Sequence, residues 1–168
     1  AASDVYKRQP MKGQAEGIVY STKPLSYQGQ LIDEFWIRFH EGKAVEWNAK
    51  VNNDLLTKLI TMDQGSCYLG ECALVPFDSP INQSGLLFYN TLFDENASCH
   101  IALGLGFPNV IKDYDKYTLD EIHDKGVNDS VIHVDFMVGD ATMNIDGITP
   151  DGEVIPVFRN GNWTEKFM

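Results

Sequence analysis

The chain has 168 residues, 43% of them hydrophobic and 11% aromatic, which suffices for one packed domain and is short for two. A formal charge of −11 leaves no basic footprint for nucleic acid or for an anionic membrane surface. No apolar run reaches the length of a membrane span, no signal peptide is recognisable, and Cys67, Cys72 and Cys99 form no disulfide framework, so a reducing, cytoplasmic setting is expected.

Residues 1–9 carry no periodicity that links them to the first expected strand and read as a non-native leader; 10–168 read as the domain proper. That strand is expected over Gly17, Ile18, Val19 and Tyr20, with the chain breaking at Lys23-Pro24. Residues 31–39 alternate imperfectly, turn at Glu41-Gly42-Lys43 and return through 44–49, which predicts a hairpin. Leu55, Leu56, Leu59 and Ile60 fall at helical spacing within 53–62, with Asn53 or Asp54 as the cap and Gly65 as the stop. A buried strand is expected over 67–75, a polar loop over 78–85, and a helix over the apolar run 86–93. Residues 100–103 read as strand before Gly104 and Gly106. Thr118 and Glu121 stand in capping-box register for a short acidic helix over 118–124. A strand over 131–138 and a hairpin over 143–158, turning at Pro150-Asp151-Gly152, complete the pattern. The fold class is α+β and mostly β: a single domain of mixed or antiparallel sheet with a few short helices.

The chemistry concentrates in Val131-Ile132-His133-Val134-Asp135-Phe136-Met137. On a strand, His133 and Asp135 share one face while the intervening apolar residues take the other. A charged pair in an apolar strand is costly to bury without a partner, and an imidazole beside a carboxylate is a pair of ligands for a divalent ion. Glu71, Glu95 and His100 extend the same donor chemistry. Glu71 suits a ligand bridging two ions or a base; Glu95 suits a base or an accessory partner. Each has a bland alternative: a hydrogen-bonded structural histidine, a strand-end carboxylate, a solvated turn. His40 and His123 sit in polar surroundings and receive no role. Gly104-Leu105-Gly106 is too short for a dinucleotide loop, and Cys99 lacks the electropositive setting of a thiol nucleophile.

Longer motifs are more specific. Ser21-Thr22-Lys23-Pro24-Leu25-Ser26-Tyr27, Tyr68-Leu69-Gly70-Glu71-Cys72-Ala73-Leu74-Val75-Pro76, and the stretch from Ser84-Gly85-Leu86 to Asp94-Glu95-Asn96-Ala97-Ser98-Cys99-His100 resemble the thermophilic metalloprotease family of aminopeptidases. So do Asn128-Asp129-Ser130, His133-Val134-Asp135-Phe136-Met137 and Phe158-Arg159-Asn160-Gly161-Asn162-Trp163. The resemblance runs from Gly17 to Trp163 and concerns only the C-terminal part of such an enzyme. It implies a two-domain, homodimeric exopeptidase that uses two divalent ions (cobalt, zinc, magnesium or manganese) to release N-terminal residues from peptides with a free N-terminus. By motif position it implies Glu71, His100, His133 and Asp135 as metal ligands, and Glu71 and Glu95 as catalytic groups. An inactive metal-binding or dimerisation module derived from that enzyme is the alternative.

Two departures from the family pattern stand out. A further glutamate ligand belongs in a Thr-Glu-Glu-Val-Phe-type segment, where this chain has Asp4-Val5-Tyr6-Lys7, so that ligand is expected to be missing. A family tyrosine is replaced by Phe107, which removes a hydroxyl able to stabilise the oxyanion, a loss of about 2.7–4 kcal/mol in the transition state. Tyr114 and Tyr117 are the nearest substitutes in sequence.

Overall fold

A computed structural model describes residues 6–167, with only the backbone of Tyr6, so the leader and the replaced glutamate segment lie partly outside the described residues. Among the described residues, eleven strands form three antiparallel sheets, with four short α-helices among them. The α+β, mostly β expectation holds.

The first sheet is the long hairpin of β4 (Gln30–His40) and β5 (Lys43–Val51), flanked by β2 (Gly17–Tyr20) and β3 (Leu25–Tyr27). The imperfect alternation along β4 has a backbone cause. Glu34 sits at φ 48°, and this left-handed kink lets Ile32 and Phe35 bury on one side although they are three positions apart, an odd spacing. The strand β3, where only Leu25-Ser26-Tyr27 pairs with β4, has too few residues to show a period.

Helix α1 (Asn53–Ile60) buries Leu56, Leu59 and Ile60 against the hairpin. Its cap is Asn52, at φ 58° and without a side-chain capping bond, rather than Asn53 or Asp54. Asn53 instead accepts the Ala49 N–H, at 2.9 Å. The helix stops at Thr61, and Gly65 serves close packing: a Cβ there would collide with the Asp129 carbonyl.

The second sheet holds β1 (Tyr6–Arg8), β6 (Leu69–Leu74), β7 (His100–Gly104) and β8 (His133–Met137), in that order. Cys72, Ile101, Leu103, Val134 and Phe136 face the hairpin and α1, forming one core with Ile32, Phe35, Ile37 and Phe39. The Phe35 and Phe136 rings meet at 5.2 Å. A third sheet, β9 (Ile145–Ile148), β10 (Val154–Arg159) and β11 (Asn162–Trp163), contains the expected second hairpin.

Two local expectations are corrected. The loop over 78–85 contains a helical turn, α2 (Pro80–Gln83), capped by Ser79 with proline in its first turn. The helix expected over 86–93 reduces to α3 (Thr91–Asp94). Asp94 accepts the Phe88 and Asn90 N–H groups, at 2.8 and 3.1 Å, and so holds the preceding residues in a loop. The last helix, α4 (Leu119–Asp124), begins with the expected Thr118–Glu121 capping box.

Candidate metal centre

The centre is built on the face of the second sheet opposite its apolar one. Antiparallel register aligns Glu71 on β6 with Ala102 on β7, and Ala102 with Asp135 on β8. Directly paired residues share a face, so Glu71 and Asp135 flank Ala102 in one row. His100 and His133, each two residues from a member of that row, lie on the same face. Ala73, Ala102 and Gly104 fill the positions between the polar groups, which leaves room above the sheet. A register shift between Leu69 and Glu71 is the local device that aims Glu71 there. Gly70 is obligatory at it, since a Cβ would strike the Leu105 carbonyl.

One oxygen each of Glu71 and Asp135 and a ring nitrogen of His100 lie within 4.8 Å of one another. His100 Nε2 is 3.2 Å from Glu71 Oε1. His133 Nε2 approaches Asp135 Oδ2 at 3.4 Å and Glu71 Oε2 at 3.8 Å. Both rings are oriented by main-chain carbonyls. His133 Nδ1 lies 2.7 Å from the Leu105 oxygen, and His100 Nδ1 lies 3.3 Å from that of Ser98. A carbonyl only accepts, so each ring donates its Nδ1–H there and turns Nε2 to the carboxylates. His100 is wholly buried, and Glu71, Asp135 and Glu95 nearly so.

Glu95, in the single 3₁₀ turn after α3, reaches the centre through a cation. Lys7 Nζ lies 2.9 Å from Glu95 Oε1 and 2.9 Å from Glu71 Oε1. Burial would raise the Glu71 pKa, but hydrogen bonds from His100 and Lys7 outweigh it and hold the carboxyl at about 2. Burial would lower the His133 pKa; Asp135, the Leu105 carbonyl and Glu71 outweigh it and raise it. Lys7 is likewise raised, its desolvation outweighed by the two glutamates.

These donors fit a divalent ion on two grounds. Asp135 Oδ1 is buried without a hydrogen-bond partner, an arrangement that is costly unless a cation takes it up. Imidazole nitrogens with carboxylate oxygens are the donor set of zinc-, cobalt- or manganese-type ions. All five sequence-predicted residues (Glu71, Glu95, His100, His133, Asp135) converge here. Lys7 is the member that sequence reasoning misses, because the leader shows no pattern tying it to the domain. Of the remaining histidines, His40 pairs with Glu16 on the surface. The Cys99 thiol, pushed up to about 11 by burial, has no nucleophilic character.

A cleft of about 420 Å³ opens beside Glu71, walled by Gly70, Phe107, Asn109, Val110 and residues 7–9. The Phe107 ring packs on His133 at 4.7 Å. The Tyr117 ring faces the Lys125 ammonium, at 4.3 Å.

Comparison with known proteins gives a consistent result. The family described as thermophilic metalloprotease (M29) matches residues 3–163. Aminopeptidase AmpS of Bacillus subtilis (strain 168) is 52% identical over 154 residues, which are 92% of this chain and 38% of that protein. Aminopeptidase T of Thermus aquaticus is 41% identical over 92% of this chain and 37% of its own length. The structure of wild-type AmpT from Thermus thermophilus superposes with a TM-score of 0.87 at 38% identity, covering 95% of this chain and 39% of that one. The chain thus spans little more than a third of the length of the relatives it matches.

Proposed function

Since the chain belongs to the thermophilic metalloprotease (M29) family, we propose that it is the C-terminal catalytic part of a metal-dependent aminopeptidase. On this reading residues 10–168 form that domain, and β1 (Tyr6–Arg8) adds an edge strand to its sheet. The observation that carries the reading is the placement of Glu71, His100, His133 and Asp135 on one sheet face, spaced by alanine and glycine. Glu71, His100, His133 and Asp135 would hold the divalent ions of this centre. Such ions, when bound, supply Lewis acidity and an activated water.

The chain's own residues do the rest. The buried carboxylates balance the ionic charge, and the backbone-anchored imidazoles keep their lone pairs directed inward. Glu95 or Glu71 accepts the water's proton and returns it to the leaving amine. The cleft beside Glu71 admits the end of a peptide with a free N-terminus. Three free cysteines support a reducing cytoplasm, and a homodimer is part of the same reading.

The test is metal content by mass spectrometry after dialysis, with His133→Ala as control. At least one divalent ion per chain, lost in the variant, is the expected result. An ion content that His133→Ala leaves unchanged would remove the proposed centre.

A further inference from the structure

Lys7 is placed on the candidate centre by strand register. In β1 it lies opposite Ala73 of β6, and Arg8 lies opposite Cys72. Ala73 shares its face with Glu71, so pairing puts the Lys7 side chain on the polar face, and the small Ala73 side chain leaves space for the lysine stem. The ammonium bridges one oxygen of Glu71 and one of Glu95, both at 2.9 Å, with the lysine side chain 35% exposed. His133 and Asp135 lie at the other edge of the cluster, where Glu71 offers its second oxygen, Oε2.

We propose that Lys7 is a tethered cation filling the place between Glu71 and Glu95, so that this chain loads one divalent ion, on the His133–Asp135 side, and accepts a second only when Lys7 is removed. The inference rests on the metal-centre reading above and deepens it. A divalent ion using the same two oxygens would meet a positive charge already hydrogen-bonded to both, and Coulomb repulsion at that separation excludes shared occupancy. The lysine is intramolecular, so its effective concentration is high and dilution does not release it.

The ammonium has a second effect. Glu71, Glu95 and Asp135 are three buried carboxylates in one neighbourhood, and among the described residues Lys7 is the lysine or arginine paired with any of them. It therefore stabilises the metal-free protein. Removing it makes folding stability depend on added metal, because an ion that binds only the folded state stabilises by mass action.

The test is zinc titration by calorimetry of the whole chain and of Lys7→Ala, Lys7→Gln and Lys7→Arg, with thermal melts with and without zinc. One zinc in the unaltered chain and in Lys7→Arg, and two in Lys7→Ala and Lys7→Gln, is the expected pattern. The second ion should bind at least about 100-fold more tightly in the neutral variants than in the unaltered chain. Their metal-free melting points should fall and recover with zinc. Equal stoichiometry in all four proteins overturns the Lys7 assignment and leaves the centre standing. No zinc in any of them overturns both. Lys7→Gln, which keeps a long unbranched stem while removing the charge, guards against loss of β1 in the alanine variant.

Discussion

Strands β6, β7 and β8 carry two faces made from alternate residues of one backbone, and the two are stabilised in opposite ways. On one face Ile101, Leu103, Val134 and Phe136 gain from leaving water, and the gain depends on filled volume. On the other Glu71, His100, His133 and Asp135 lose hydration, and the loss is offset only by partners placed at specific atoms. The apolar face fixes where the strands lie, and the polar face uses that fixed geometry. A site of this kind can therefore change occupant, from ion to ammonium, without the sheet being rebuilt.

The comparison is broken most severely from the apolar side. Phe136 is 1% exposed and packed on Phe35, so Phe136→Ala should cost about 3–5 kcal/mol in urea unfolding. Ion uptake per folded molecule should be unchanged; a parallel loss of ion binding would show that the two faces are not separable.

Acid sharpens the contrast, because only one face titrates. The Glu71 carboxyl is held at about 2 against an ordinary 4.5. A lowered pKa contributes stability that is fully present above pH 4.5 and is lost as pH falls through about 2, a contribution of up to roughly 3 kcal/mol in the metal-free protein. Glu71→Gln should flatten that part of the pH–stability curve, while Phe136→Ala should lower the curve without changing its slope. Identical slopes in Glu71→Gln and the unaltered chain would mean that the His100 and Lys7 contacts do not persist in solution.

A smaller change tests the spacing on the polar face. Ala102 is fully buried between Glu71 and Asp135, and Ala102→Val should cost about 1–3 kcal/mol by overpacking. Its informative readout is calorimetric ion affinity, which should fall by at least about tenfold because the added methyls occupy the space above the row. Unchanged affinity would place the ion elsewhere.

Much of the fold and the centre is legible in the sequence, for identifiable reasons. His133 and Asp135 are two apart on a strand, so their common face follows from local geometry alone. The hairpin, the core face of α1 and the Thr118–Glu121 box are equally local. What joins Glu71 to Asp135 is register across three strands, a long-range property that no window of sequence contains. The family resemblance brings those residues together where spacing does not. Caps and breaks escape the sequence where a single backbone angle decides, at Asn52 and Glu34, or where one side chain seizes nearby N–H groups, as Asp94 does in the run expected to be a helix. Lys7 escapes it because a segment without periodicity gives no sign of the strand it pairs with.

The tight seat of Gly70 has a mechanical meaning. The Leu105 carbonyl that leaves no room for a Cβ at Gly70 is the same oxygen that holds His133 Nδ1 at 2.7 Å. The strand carrying Glu71 therefore rests on the stop that sets the tilt of the His133 ring. One peptide unit thus sets both how closely β6 can approach at Gly70 and how the His133 ring is held.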